Sequence, residues 1–201
     1  MRLNTALLNT IGAAALLLGA QIAAAGTVTA TATIDWSGLN ITFVPGYTLS
    51  GQNSSATVFG DIGDFQSSAD WTTSLLASAS AVHINAAASA DASTLNTMAT
   101  INGGPAASEG AESFRSGTIT VSGNGILFVT VPATLSASIT GYVPGDFAFV
   151  SAQSFVQLTK SGAANTGNLS FFASFGDVVT SASLDDTIVA ALSVKTGDII
   201  S

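Results

Sequence analysis

The segment Gly26–Trp36, GTVTATATIDW, alternates without a break: Val28, Ala30, Ala32, Ile34 and Trp36 hold one parity, Thr27, Thr29, Thr31, Thr33 and Asp35 the other. Residues two apart in extended chain share a face, so this pattern predicts a strand with one apolar and one wet side. The rhythm returns after Pro132 in ATLSASIT, with Leu135, Ala137 and Ile139 inward. In GTITVSGNGILFVTV, a three-residue hairpin loop at Gly123-Asn124-Gly125, with Gly125 left-handed, puts Ile119, Val121, Leu127, Val129 and Val131 on one face. Other strands are expected over LNITFVPGYTL, turning at Pro45-Gly46, and near 147–158, 169–175, 178–184 and 187–194, with a turn at VPGD, 143–146.

The alanine-rich stretch SASAVHINAAASADAS, residues 78–93, is the ambiguous one. Alanine favours helix. Yet His83, Asn85, Ser89 and Asp91 keep one parity, Val82, Ile84, Ala86, Ala88 and Ala90 keep the other, and no stripe of large apolar residues recurs at helical spacing. The reading is a long strand, with a helix over part of it as the alternative. Residues 94–112, with NGGPAASEGAE, read as an exposed loop. Many strands joined by Gly, Pro and Asn turns, with no strong internal repeat, predict an all-β protein: an antiparallel β-sandwich, jelly-roll-like in its alternative form.

Residues 1–25 read as a secretory signal peptide: Arg2, a mostly apolar run from Ala6 to Ala20, and Ala23-Ala24-Ala25 before a cut at Gly26. The run is too short for a permanent membrane span. Residues 26–201 are then a single secreted domain, large enough for its own core. Cysteine is absent, which removes disulfides and thiolate metal sites. Charged residues are only 8% of the chain, against about 25% in an average protein, and its formal charge is −8. Such a surface has no cationic patch with which to bind nucleic acid. Ser, Thr, Asn and Gln supply the hydration instead.

Candidate chemistry is sparse. His83 is the single histidine, without a G-x-S-x-G partner, so a Ser-His-Asp hydrolase is not expected and no catalytic residue is assigned. One histidine cannot build a zinc site. Calcium needs only carboxylates and carbonyls; Asp61 and Asp64 in GDIGD are the candidate pair for a structural calcium, with solvated turn aspartates as the plainer account. Asp185-Asp186 is second and reads as a polar turn. Glu109 and Glu112 fall in the expected loop, where desolvation would hardly raise a pKa for glycoside cleavage. Among aromatics, Trp36 has core parity, while Trp71 and Tyr142 sit near strand ends as candidate sugar-stacking rings. The threonines of residues 27–33 could match an ice lattice, but that needs the ladder repeated on neighbouring strands, and the adjoining sequence does not repeat it.

The leader, the Ser/Thr/Ala-rich strands, the missing cysteines and RSGTITVSGNGILFVTVPATLSASI leading to VKTGDII resemble bacterial exosortase-sorted surface proteins of the PEP-CTERM group. The resemblance implies export to the cell surface and association with exopolysaccharide and biofilm. The group's Val-Pro-Glu-Pro tail, apolar helix and arginine cluster are not among these residues. The expected function is a secreted, non-enzymatic cell-surface or extracellular-matrix component, with a carbohydrate-binding β-sandwich module as the alternative. Expected partners are extracellular polysaccharide or other surface proteins. Ile199-Ile200 starts a strand that is not completed, so self-association through an open sheet edge is a further expectation.

Overall fold

The computed structural model describes residues 13–20, 26–44, 46–60, 63–81, 84–102, 107–141, 148–175 and 181–201. Their strands are β1 (Ala13–Ala20), β2 (Thr27–Asp35), β3 (Asn40–Thr42), β4 (Tyr47–Gly60), β5 (Asp64–Ser68), β6 (Leu75–Ala81), β7 (Ile84–Ala90), β8 (Thr94–Asn102), β9 (Ala107–Val121), β10 (Gly125–Thr140), β11 (Ala148–Lys160), β12 (Ala163–Phe175), β13 (Ser181–Val194) and β14 (Ile199–Ile200). They form two antiparallel sheets. The first has the order β12-β11-β1-β9-β4-β5, with β14 also on β9; the second has the order β13-β10-β2-β8-β7-β6, with β3 also on β10. Among the described residues no helix is long and apolar enough to cross a membrane.

The sheets pack face to face, and the alternation seen in the sequence supplies the filling. Val28, Ala30, Ala32 and Ile34 are fully buried, as are Leu127, Val129, Val131 and Leu135, while Thr27 to Thr33 stay half-exposed on the other side of β2. The chain is therefore an all-β antiparallel sandwich, as its period of two predicts.

Several local expectations fail, each for a physical reason. Residues 119–131 are not a hairpin: β9 lies in the first sheet and β10 in the second, so residues 122–124 carry the chain across the sandwich. Ile119, Val121, Leu127, Val129 and Val131 do share an environment, because two strands facing each other across a core meet the same burial demand as two paired strands. Gly125 accordingly needs no left-handed conformation and does not adopt one. The alanine-rich stretch is no helix, but neither is it one long strand: β6 pairs with β7 from Leu75↔Ala90 to Ala81↔Ile84. The buried parity switches from Leu75 and Ala77 to Ala86, Ala88 and Ala90, as a fold-back requires. Most of the expected loop at 94–112 is strand, since Leu95, Thr97, Ala99 and Ile101 alternate into the core. Asp185-Asp186 is no turn but lies mid-strand in β13, opposite Thr134 and Ala133.

One irregularity builds the interior. Pro132 in β10 has no N–H to give a neighbour, and beside it the path of β2 breaks into a 3₁₀ turn, Trp36–Gly38, before resuming as β3. Asp35 holds the turn by accepting from the Ser37 hydroxyl at 2.6 Å and the Gly38 N–H at 3.2 Å. Its pKa is lowered, first by the Ser37 hydroxyl bond. Gly38 is required because a Cβ there would sit 2.9 Å from the Pro132 ring.

The turn delivers Trp36 to the core. Its ring meets that of Trp71 edge-on, centroids 5.1 Å apart at 90°, and the Arg115 guanidinium carbon lies 5.2 Å from the Trp36 ring centroid. Arg115 is 0% exposed; its Nη2 donates to the backbone oxygens of Trp71 (2.7 Å) and Asp91.

Candidate functional site

The outward side of the second sheet is where the sequence's uncharged polarity collects. Register places Thr31 of β2 between Ser136 of β10 and Met98 of β8, Thr29 between Ser138 and Thr100, and Thr33 between Thr134 and Asn96. Directly opposed residues share a face, so hydroxyls and amides from three strands form one array. They are bonded to one another. Thr31 Oγ1 and Ser136 Oγ are 2.7 Å apart, Thr29 Oγ1 and Thr100 Oγ1 3.2 Å; Thr33 Oγ1 donates to Asn96 Oδ1 at 2.8 Å and Thr27 Oγ1 to Asn102 Oδ1 at 3.1 Å. Each bonded hydroxyl still has acceptor capacity for an outside donor.

The threonine ladder therefore has polar neighbours, remote in sequence and adjacent in space, but they do not repeat it. Asn96 and Met98 interrupt the array, so it is not a single-residue lattice of the kind an ice plane would need. At one end it meets a depression of about 410 Å³ lined by Thr33 and Asp35, by residues 132–134 of β10 and by residues 185–187 of β13. Among the described residues no three His, Asp or Glu side chains are grouped to hold a metal ion.

The residues singled out by sequence do not converge. Asp61, His83 and Tyr142 lie outside the described residues. Asp64 is engaged in the chain's own backbone, accepting from the N–H of Phe65 at 2.8 Å and of Ser78 at 3.0 Å, which ties β5 to β6. Trp71 is not an exposed platform but 9% exposed; its indole N–H donates to Ser116 O at 2.8 Å, and its ring packs at right angles to that of Trp36. Trp36, as expected, is core.

Other aspartates organise loops. Asp70 accepts from the Thr73 N–H and hydroxyl and from those of Thr72, bonds that hold its pKa well below the usual carboxylate range. At Asp91 burial raises the pKa, but the bonds from Ser93 and Thr94 outweigh it and leave the pKa lowered.

Glu109 and Glu112 are strand residues of β9, not loop residues. Burial raises the Glu112 pKa above its ordinary value, contrary to the sequence expectation. The native state thus keeps the Glu112 proton at a pH where the unfolded chain has lost it, and stability falls as pH rises through that window. Glu112→Gln should raise the urea midpoint at pH 7 and leave it unchanged near pH 3, where both states of the wild type are protonated; an equal effect at both pH values would contradict this.

Comparison with protein families, curated proteins and solved structures finds no match to the chain. The sandwich, its hydroxylated face and the positions of the charged groups carry the functional reading.

Proposed function

We propose that the protein is an exported, non-enzymatic component of a bacterial cell surface or extracellular matrix, and that the outward face of β10, β2 and β8 is its contact with neutral polysaccharide. The observation that carries this is the cross-strand hydroxyl and amide array centred on Thr31 and Ser136. A pyranose chain presents hydroxyls at close intervals, and an array of half-exposed hydroxyls exchanges bonds with it without burying charge. The low charge content and the leader support the same reading. So does the likeness to exosortase-sorted surface proteins. The sugar contact moves from Trp71, now in the core, to this face.

Co-sedimentation of the exported protein with purified neutral exopolysaccharide tests the proposal. Wild type should pellet with the polymer, and Thr31→Glu/Ser136→Glu, which places two desolvation-averse charges on the array, should weaken binding about tenfold, or ~1.4 kcal/mol. Unchanged binding by a variant with unchanged circular dichroism would count against the face.

A further inference from the structure

The centre of the first sheet is built from two pieces on one track. β1 pairs with β9 on one side and β11 on the other: Ala14 stands opposite both Ser113 and Ser154. β14 enters between the same two walls from the far end. Ile199 and Ile200 pair with Thr120 and Ile119 of β9, and Ser201 exchanges both backbone bonds with Thr159 of β11, at 2.6 and 2.9 Å. Ile199-Ile200 therefore lies inside a sheet rather than at an outer edge. Both pieces run antiparallel to β9.

β1 consists of residues that the sequence assigns to the leader. Its removal would leave the walls facing each other across an empty strand position, with the backbone groups of 107–114 and 149–155 turned into it. The walls cannot close by pairing directly. β14 wedges them a strand's width apart, with Ile200 0% exposed, and it is pinned by Lys160 Nζ on Asp198 Oδ2 at 2.7 Å and by Gly197 N–H on Val121 O at 3.1 Å.

A second observation points into the same slot. Ser113 Oγ and Ser154 Oγ are completely buried and have no hydrogen-bond partner. They stand opposite register position 14 of β1 from both walls, and alanine is a residue type with no side-chain hydrogen-bonding group. Two orphaned hydroxyls facing one register position are costly unless the residue there bonds to them.

We propose that, with the leader removed before Gly26, the slot between β9 and β11 accepts an extended, uncharged strand from another polypeptide, with a hydroxyl side chain at the position now held by Ala14. This rests on removal of the leader, not on the polysaccharide reading. Strand addition supplies main-chain bonds on both sides, and the paired serines supply register. Thr27 enters β2 directly after Gly26, so a processed copy has no N-terminal strand of its own to lend.

The test takes the exported chain, reads its N-terminus by mass spectrometry, and adds synthetic peptides of residues 13–20 flanked by lysines. Expected are a start at Gly26, one-to-one binding of the peptide, new hydrogen-exchange protection at 107–114 and 149–155, about fivefold tighter binding of the Ala14→Ser peptide, and no binding of the Leu17→Pro peptide. In Ser113→Ala/Ser154→Ala protein the preference for Ala14→Ser should vanish. An exported chain that retains residues 13–20, that protects both walls unaided and takes no peptide, or that polymerises on its own would overturn the proposal. Equal binding of the two peptides would overturn the serine anchor.

Discussion

Arg115→Ala is expected to lower folding stability by about 2–4 kcal/mol, a large share of the roughly 5–15 kcal/mol a domain has. The side chain is fully buried between the sheets, so truncation opens a cavity against Trp36 and leaves the backbone oxygens of Trp71 and Asp91 without their donor. The arginine is also not ideally served. Its Nε and Nη1 have no partner, and burial pushes its pKa down to about 10 despite the opposing pull of Asp91 and Asp70. It remains a cation at neutral pH, stacked on an indole. Arg115→Met, which keeps much of the volume and removes the orphaned donors, should lose less than Arg115→Ala. Urea unfolding followed by tryptophan fluorescence reads this directly, because Trp36 and Trp71 are the only tryptophans. An alanine variant with the wild-type midpoint would show that this arginine does not hold the sheets together.

Gly167→Ala should be comparably harmful, at about 3 kcal/mol. β12 and β13 are the end strands of different sheets, and here their backbones come together to close one side of the sandwich. Asn165 Oδ1 accepts the Ala191 N–H at 3.0 Å, and a Cβ on Gly167 would penetrate the Val189 carbonyl, 2.6 Å from its carbon. No rotamer change relieves a clash with backbone, so β13 must move away and uncover Ile188 and Ala190. Gly162→Ala is the control: Gly162 has φ +77° but nothing within 4 Å of the added carbon, so its cost is the left-handed penalty of about 1 kcal/mol. Equal losses at the two sites would argue against close contact at this edge.

What could be read from the sequence was whatever local alternation decides. The inward parity of residues 28–36, 119–131 and 135–139 follows from chain geometry and holds in the sandwich. Pairing is a long-range property, and there the local signal misleads. Val121 and Leu127 have the same parity relation whether β9 and β10 pair or face each other, so the burial pattern alone could not choose. The pairing of β6 with β7 did have a local sign: Ser78 and Ser80 occupy the even parity, Asn85 and Ser89 the odd. The hydroxyl array was hidden for the reason the core was visible. Thr31, Ser136 and Met98 are far apart in the chain, and only the strand order β10-β2-β8 makes them neighbours. The placement of Trp71 turns on Arg115 and the 3₁₀ turn beside Pro132, features that no periodicity announces.

The functional claim meets its most direct test at Met98, the one methionine beyond Met1, partly exposed on the face between Thr31 and Ala87. Peroxide converts an accessible methionine to its sulfoxide, and mass spectrometry counts the added oxygen. Saturating neutral exopolysaccharide should slow oxidation of Met98 several-fold in wild type and have little effect in Thr31→Glu/Ser136→Glu. Full binding of the polymer with Met98 oxidised at its free rate would place the contact elsewhere and contradict the account.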